Sequence, residues 1–497
     1  MADDDEDRAP NQEASTPKGS VTVVKALGRI LPIILVPGVM GSRLRHVASD
    51  TLVWNPLGKP AGGDAWKREP LGPFATSRIR NIDAELEPAR HFTHLNDPFA
   101  LTAKAKARHF ERSRIHNSYE IVWPSYQGLL LGLDGDLRDR LGKLGWQLHV
   151  DCFGYDWRLS NRDNARKLAN RVDTVMAACG GERPVLVCHS MGGLVARSFL
   201  WGTPAGAKRV RGLVLVGSPT LGATKPYCFL KAGIPSTPGE DPDLYDPVMA
   251  FMKFALLKLV KPKIFNKGRH ADVAFLRECF ALQELMVKRL YARHENVSWL
   301  TFDPSITGLD TTASLTNGRP PQTGEVLLNA ENTKHVYNDP SLGFMDFPFD
   351  RNGGLWSTRE LALKLFDNEL FTFTSAKIPA RVRLHKVTIF YVSKVHKTHD
   401  RVHCELDRVT HSLLDGENTF KTTLTSTASE NAGDNSVPYR SALPNKNIRF
   451  PKPGKGKYRV LHVASEHGQL CNDTTVVDDF VDLMERACKR FNQKHGL

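Results

Sequence analysis

The chain has 497 residues, 41% of them hydrophobic, which suffices for a sizeable buried core. It carries 67 Lys and Arg against 54 Asp and Glu, a formal net charge of +13 at pH 7, and such a balance favours contact with anionic surfaces such as phospholipid headgroups. No zinc-finger spacing, Arg/Lys-rich arm or interleaved aromatic motif accompanies that charge, so nucleic acid is not expected as a partner.

Eight cysteines lie without paired spacing, several of them in apolar runs. This suggests buried thiols rather than a metal site or a disulfide framework. Residues 1–20 are Asp-, Pro- and Ser-rich and read as a disordered acidic tail. They contain no apolar stretch of the secretory type, and no apolar run approaches the ~20 residues that span a bilayer. The expectation is a cytoplasmic or peripherally membrane-attached protein.

Leu31–Val36 is a short, fully apolar strand that runs into Pro37-Gly38-Val39-Met40-Gly41-Ser42. Such a loop either presents backbone N–H groups to a developing oxyanion or is a simple turn. Residues 45–118, with Trp54 and Trp66, are rich in Pro, Gly and Asp and read as an insertion between core elements. Gln127–Leu144 is a helical candidate carrying Leu129, Leu130, Leu133, Leu137 and Leu141. Trp146–Phe153 reads as a strand ending at Gly154-Tyr155-Asp156-Trp157-Arg158, and Asn164–Cys179 as the next helix.

A second apolar run, Val185 to Val187, stops at Cys188-His189-Ser190-Met191-Gly192-Gly193. A helical pattern follows, with Leu194, Val195, Phe199 and Leu200 as its apolar members. Strand, sharp turn and helix with a serine at the apex read either as a nucleophile elbow, with Cys188 where the usual motif has its first glycine, or as an ordinary strand-to-helix connection with a capping serine. Val210–Val216 is the next strand, closed by Gly217-Ser218-Pro219. Strands alternating with helices predict an α/β fold, a mostly parallel sheet with helices on both faces, formed by residues 21–220 and 381–497.

Residues 221–380 interrupt that rhythm and read as a cap or lid inserted above the sheet. Within them, 248–260 carries Val248, Phe251, Met252, Ala255 and Leu259 on one helical face and Lys253 and Lys258 on the other half. This is either an interfacial helix resting on anionic lipid or a packed cap helix with solvated lysines. Asp272–Leu290 is a second helical candidate, and 303–357 is turn-rich. The rhythm resumes with strands at Val387–Val392 and Tyr458–Val463 and closes with a helix at Val476–Phe491.

A serine elbow calls for an acid and then a histidine on loops beyond later strands. Asp434 lies in Ala432-Gly433-Asp434-Asn435-Ser436-Val437-Pro438, after an excursion beyond Val392. His467 lies in Ala464-Ser465-Glu466-His467-Gly468, directly beyond Val463. Both stand in the required order. Asp156 follows a strand that precedes the serine strand, so it suits bracing better than catalysis. His189 is expected to point away from the Ser190 side chain, and His462 to be a core or sheet-face residue. Asp473, Asp478 and Asp479 suit a helix start and its solvated face.

The segments Ile33–Ser42, Tyr155-Asp156-Trp157-Arg158, His189–Gly193, Gly433–Pro438 and Glu466-His467-Gly468, in this order, resemble the lecithin–cholesterol acyltransferase family. That family also includes phospholipid–diacylglycerol acyltransferases and lysosomal phospholipases A. The resemblance reaches from about residue 30 to 480 and departs at Cys188 and at Asn435-Ser436. It implies an α/β-hydrolase core with a cap that acts on ester-linked acyl groups of lipids. Ser190, Asp434 and His467 would then be the catalytic residues, with no metal or cofactor. The N–H of Met191, next after the nucleophile, would be one oxyanion donor, and by resemblance that of Val39 the other. Trp54 and Phe251 are candidates for substrate contact, Trp54 equally for simple packing. The alternative is a catalytically silent scaffold of the same fold that binds lipid or a protein partner.

Overall fold

The structure is a computed structural model. It describes residues 29–54, 83–90, 114–202, 206–227, 279–287, 300–302, 326–327, 388–406, 422–443 and 458–496. The acidic tail, most of 45–118 and of 221–380, the helical candidate at 248–260 and Phe251 lie outside these residues.

In chain order the first strands are β1 (Arg29–Val36), β2 (Leu44–His46), β3 (Thr51–Trp54), β4 (Leu86–Pro88) and β5 (Ile115–His116). Helix α1 (Gln127–Gly132) continues through a π turn (Leu133–Leu137) into α2 (Arg138–Gly142), and β6 (Trp146–Cys152) follows. Next come α3 (Asn161–Ala178), β7 (Val185–His189), α4 (Gly192–Gly202) and β8 (Gly212–Val216). A short α5 (Phe280–Glu284) precedes β9 (Leu300–Phe302) and β10 (Val326–Leu327). The chain ends with β11 (Thr388–Ser393), β12 (His396–Leu406), β13 (Thr422–Gly433), α6 (Tyr439–Ala442), β14 (Tyr458–Val463) and α7 (Thr474–His495).

Seven strands form one sheet in the order β14-β11-β8-β7-β1-β6-β5, and every pairing in it is parallel. Strands buried on both faces read as continuous apolar runs, which is why they were visible in the sequence. Alternate residues serve opposite faces. Ile34, Val36, Leu186, Leu213 and Leu215 pack with α3 and α4, whereas Ile33, Leu35, Val185, Val187 and Val214 pack with α1, α2 and α7. This is the α/β-hydrolase core expected, three layers deep. The order reverses at β1, which has β6 on one side and β7 on the other, and ligands of open α/β sheets bind at the carboxyl ends beside such a reversal.

The helices follow local rules. Asp473 caps α7, its Oδ1 accepting from the N–H of Thr475 at 2.8 Å, and Gly496 closes it at φ 65°. Helix α3 starts three residues before the apolar pattern, because Ser160 Oγ accepts from Arg162 N–H at 3.0 Å and Glu284 accepts from Asn161 N–H at 2.6 Å. The π turn has a reason in spacing. Leu129, Leu133, Leu137 and Leu141 recur every fourth residue and are all buried. A helix of 3.6 residues per turn would rotate that row off the sheet, and a wider turn holds it in place. Each such leucine contributes about 1.5–3 kcal/mol by burial.

Two further sheets were not legible. The excursion after β11 is an antiparallel hairpin of β12 and β13, extended by β9 and β10 into a four-stranded sheet ordered β10-β9-β12-β13. A small β3-β2-β4 sheet begins at Leu44 and takes its other strands from the 45–118 insertion. From the interrupting segment, Ala281, Leu282 and Met286 join the buried cluster around α3 and α4. Among the described residues, no helix is long and apolar enough to cross a membrane. Cys152, Cys179, Cys188, Cys471 and Cys488 are free, buried thiols.

Candidate active site

Ser190 follows the last residue of β7 in the left-handed region, at φ 51°, a conformation that costs a non-glycine residue roughly 1–2 kcal/mol. Its N–H is held by the Val216 carbonyl at 2.9 Å, so the elbow is tied to the neighbouring strand. Cys188 is fully buried on the α3/α4 side of the sheet, where a small side chain fits. Burial pushes its thiol well above the ordinary range, which leaves it inert as a nucleophile.

His467 opens a 3-10 turn (His467–Gln469) just beyond β14. Its Nε2 lies 2.8 Å from Ser190 Oγ and its Nδ1 2.7 Å from Asp434 Oδ2. The main chain ties the same pair together, the His467 N–H donating to the Asp434 carbonyl at 2.8 Å. Asp434 is 1% exposed. Its other oxygen, Oδ1, accepts from the N–H groups of Ser436 at 3.0 Å and Val437 at 2.6 Å, so the carboxylate has one orientation. The adjoining Asn435, at φ 79°, donates its N–H to Thr398 Oγ1 at 2.8 Å. Thr398 belongs to β12, and the unforeseen hairpin thus fixes the acid's loop. Gly217, at φ +56°, allows the pair to close: a Cβ there would lie 3.1 Å from Asp434 Oδ2 and 3.2 Å from His467 Nδ1.

The loop after β1 approaches the serine so closely that a Cβ on Gly38 would sit 2.9 Å from Ser190 Cβ. Three buried aromatic side chains hold it. Tyr126 Oη accepts from Gly38 N–H at 2.9 Å, Tyr155 Oη donates to the Pro37 carbonyl at 2.8 Å, and Trp54 Nε1 donates to the Met40 carbonyl at 3.0 Å. Among the described residues the N–H groups of Val39 and Met191 find no acceptor. Met191 is fully buried, and a buried N–H rarely goes without one. Trp54 is 2% exposed and packs edge-on against Trp157 at 5.2 Å, a position that suits the packing role and braces the loop.

The other candidates lie apart from the line of Ser190, His467 and Asp434. Asp156 and Arg158 form a buried ion pair at 2.7 Å, and Arg158 also donates to the Ala84 carbonyl at 2.9 Å, bracing the insertion. His462 is exposed, with Tyr439 Oη 2.6 Å from its Nε2. Asp473 is a helix cap as expected, but Asp479 is not simply solvated: it binds Arg459 at 2.6 Å and accepts from Tyr391 Oη at 3.0 Å. His189 has neighbours that the sequence did not announce. The reading that it points away from the Ser190 side chain left out where it points: its ring lies 4.8 Å from that of His467 and its Nε2 3.0 Å from the His467 carbonyl. Only a rule for strand alternation could have hinted at this, because His189 falls on the α1/α7 face. Among the described residues no group of three His, Cys, Asp or Glu could hold a metal ion.

Residues 136–237 match the family model of lecithin:cholesterol acyltransferase. The matched segment includes Ser190 and the Tyr155-Asp156-Trp157-Arg158 tetrapeptide, and the resemblance read from the sequence holds over it. Over 74 residues the chain is 36% identical to YJR098C, an uncharacterized protein of Saccharomyces cerevisiae, covering 15% of this chain and 11% of that one. The match therefore spans about a tenth of that relative's length. A chain in the crystal structure of a Tle4-Tli4 complex superposes with a TM-score of 0.52 at 16% identity, over 93% of this chain and 99% of that one, a likeness of fold. Bacillus licheniformis lipase BlEst2 in mature form matches over 29% of this chain and 57% of its own, at 16% identity and a TM-score of 0.18, too slight to bear on fold or function.

Proposed function

We propose that the chain is a serine acyl hydrolase or O-acyltransferase acting on lipid esters, with Ser190 as nucleophile, His467 as general base and Asp434 as its orienting acid. The observation that carries this reading is the unbroken hydrogen-bonded line from Ser190 Oγ through both ring nitrogens of His467 to Asp434, standing at the carboxyl edge of the sheet on a strained serine. His467 Nε2 takes the Oγ proton as Oγ attacks the acyl carbonyl. The N–H groups of Val39 and Met191 receive the negative oxygen of the tetrahedral intermediate. Collapse expels the alcohol, which leaves with the proton held by His467, and the acyl group remains on Ser190. Water or a second alcohol repeats the sequence in reverse and takes the acyl group. The lipid class rests on the family match, and the net charge of +13 supports contact with an anionic membrane surface.

The test is mass spectrometry after exposure to an active-site fluorophosphonate, with Ser190→Ala alongside. A single adduct on Ser190 that vanishes in the variant is expected. Lipid-ester panels with and without an alcohol acceptor then separate hydrolysis from transfer. Folded protein that takes no adduct would overturn the catalytic reading in favour of a lipid- or protein-binding scaffold.

A further inference from the structure

Behind the reacting line lies a second one that the chemistry above does not use. Tyr126, immediately before α1, is 1% exposed. Its hydroxyl accepts from Gly38 N–H at 2.9 Å and lies 3.3 Å from His189 Nδ1, with the two rings edge-on at 5.6 Å. The opposite nitrogen of His189, Nε2, lies 3.0 Å from the His467 carbonyl.

Proton positions follow from which groups can donate and which can accept. The His467 carbonyl only accepts, so His189 Nε2 carries hydrogen. Gly38 N–H only donates, so it occupies one lone pair of Tyr126 Oη, and the tyrosine's own proton needs an acceptor. Nδ1 of neutral His189 is that acceptor. One neutral tautomer satisfies every group, whereas a protonated ring would aim an N–H at Tyr126 Oη and strand the hydroxyl proton in a buried site. Burial, reinforced by His467, accordingly pushes His189 down to about 3, and burial pushes the Tyr126 hydroxyl up.

We infer that Tyr126 and His189 form a positioning relay that ties the loop at Gly38 to the main chain of His467, holding the oxyanion donor and the general base in register across the serine. The inference rests on the catalytic reading above. His189 precedes Ser190 in the chain, so loop, elbow and base are fixed to one another through a single side chain. The relay also consumes the Gly38 N–H, which leaves Val39 and Met191 as the donors for an oxyanion. A neutral His189 further places no positive charge beside the imidazole that must accept the serine proton.

The test compares Tyr126→Phe, His189→Phe and His189→Gln for fluorophosphonate labelling rate and for kcat and KM on a p-nitrophenyl ester. Circular dichroism and thermal melting establish that each variant is folded. Tyr126→Phe and His189→Phe should lower kcat and the labelling rate about 10- to 100-fold with KM within about twofold, the cost of a small misplacement at the reacting atoms. His189→Gln, whose amide N–H can still donate toward His467, should recover most of the loss. Wild-type protein that does not label overturns the catalytic reading itself. Wild type that labels, beside folded Tyr126→Phe and His189→Phe that label equally fast, overturns the relay alone. His189→Gln no better than His189→Phe overturns the link to His467, and if His189→Phe does not fold, an unchanged rate in Tyr126→Phe decides against the relay.

Discussion

Replacing Asp434 by Asn should silence the reaction with little change in the fold, because the surroundings dictate how the amide must sit. Asp434 Oδ1 accepts two main-chain N–H groups, from Ser436 at 3.0 Å and Val437 at 2.6 Å. Only the oxygen of an asparagine can meet them, so its NH2 is turned onto His467 Nδ1, where Oδ2 now lies at 2.7 Å. The reversed amide would face its NH2 onto two donors, at about 1–3 kcal/mol for each buried group left unsatisfied. An NH2 opposite Nδ1 makes that nitrogen an acceptor and moves the ring proton to Nε2. Nε2 is the atom 2.8 Å from Ser190 Oγ, and once protonated it cannot accept the serine proton. A wrong tautomer of this kind costs about 10⁴-fold in kcat, or about 5.4 kcal/mol of barrier. Because the hydrogen bonds survive, unfolding free energy should move by no more than about 1–2 kcal/mol. Initial rates on a p-nitrophenyl ester and urea denaturation at one pH measure the two quantities. An Asp434→Asn protein with kcat within tenfold of wild type would refute the tautomer argument.

Gly38→Ala puts a methyl group 2.9 Å from Ser190 Cβ and 3.2 Å from His189 Nδ1; kcat should fall about 100-fold and stability by about 1–3 kcal/mol. Rates within threefold of wild type would show that the loop yields freely. Asp156→Ala removes the carboxylate partner of the fully buried Arg158 and should destabilise the fold by about 3–5 kcal/mol, while the labelling rate of the folded fraction stays within about threefold; a large rate loss in stable protein would give Asp156 a role in the chemistry. His189 supplies a pH prediction. Its folded value of about 3 lies below the unfolded histidine value, so the unfolded chain binds the extra proton, and stability present above about pH 6.5 is lost as pH falls toward 3. Between pH 7.5 and pH 5 this amounts to about 2 kcal/mol, and His189→Gln should lack it; identical acid sensitivity in the two proteins would contradict a buried neutral ring.

The elements that could be read in advance share one property: their signal is local. Continuous apolar runs marked β1, β7 and β8, because a strand inside an all-parallel sheet is buried on both faces; β14, at the sheet's edge, was read with the same bounds as observed. Helix starts were off where the cap came from side chains rather than from apolar spacing, as at Ser160 and Glu284. The four-residue leucine spacing in 127–144 was visible and could have announced the π turn. The β12/β13 hairpin could not be read from periodicity, since HKTHDRVHCEL and TTLTSTASENAG are largely polar and their pairing stabilises them. Yet Thr398 within it holds the loop of Asp434.

Ser190 could be named from fourteen contiguous residues, because an elbow is a property of a strand, a turn and a helix in sequence. Asp434 and His467 could be named by order along the chain and by falling beyond core strands. The relation among them could not. His467 stands 277 residues from Ser190 and 33 from Asp434, and which ring nitrogen faces which oxygen depends on atoms that only folding brings within 3 Å. The same holds for Tyr126 and His189, separated by 63 residues and each unremarkable in its own segment. Local sequence specifies which backbone shapes form, whereas proton positions, and so acidity and basicity, are set by neighbours that chain order does not predict.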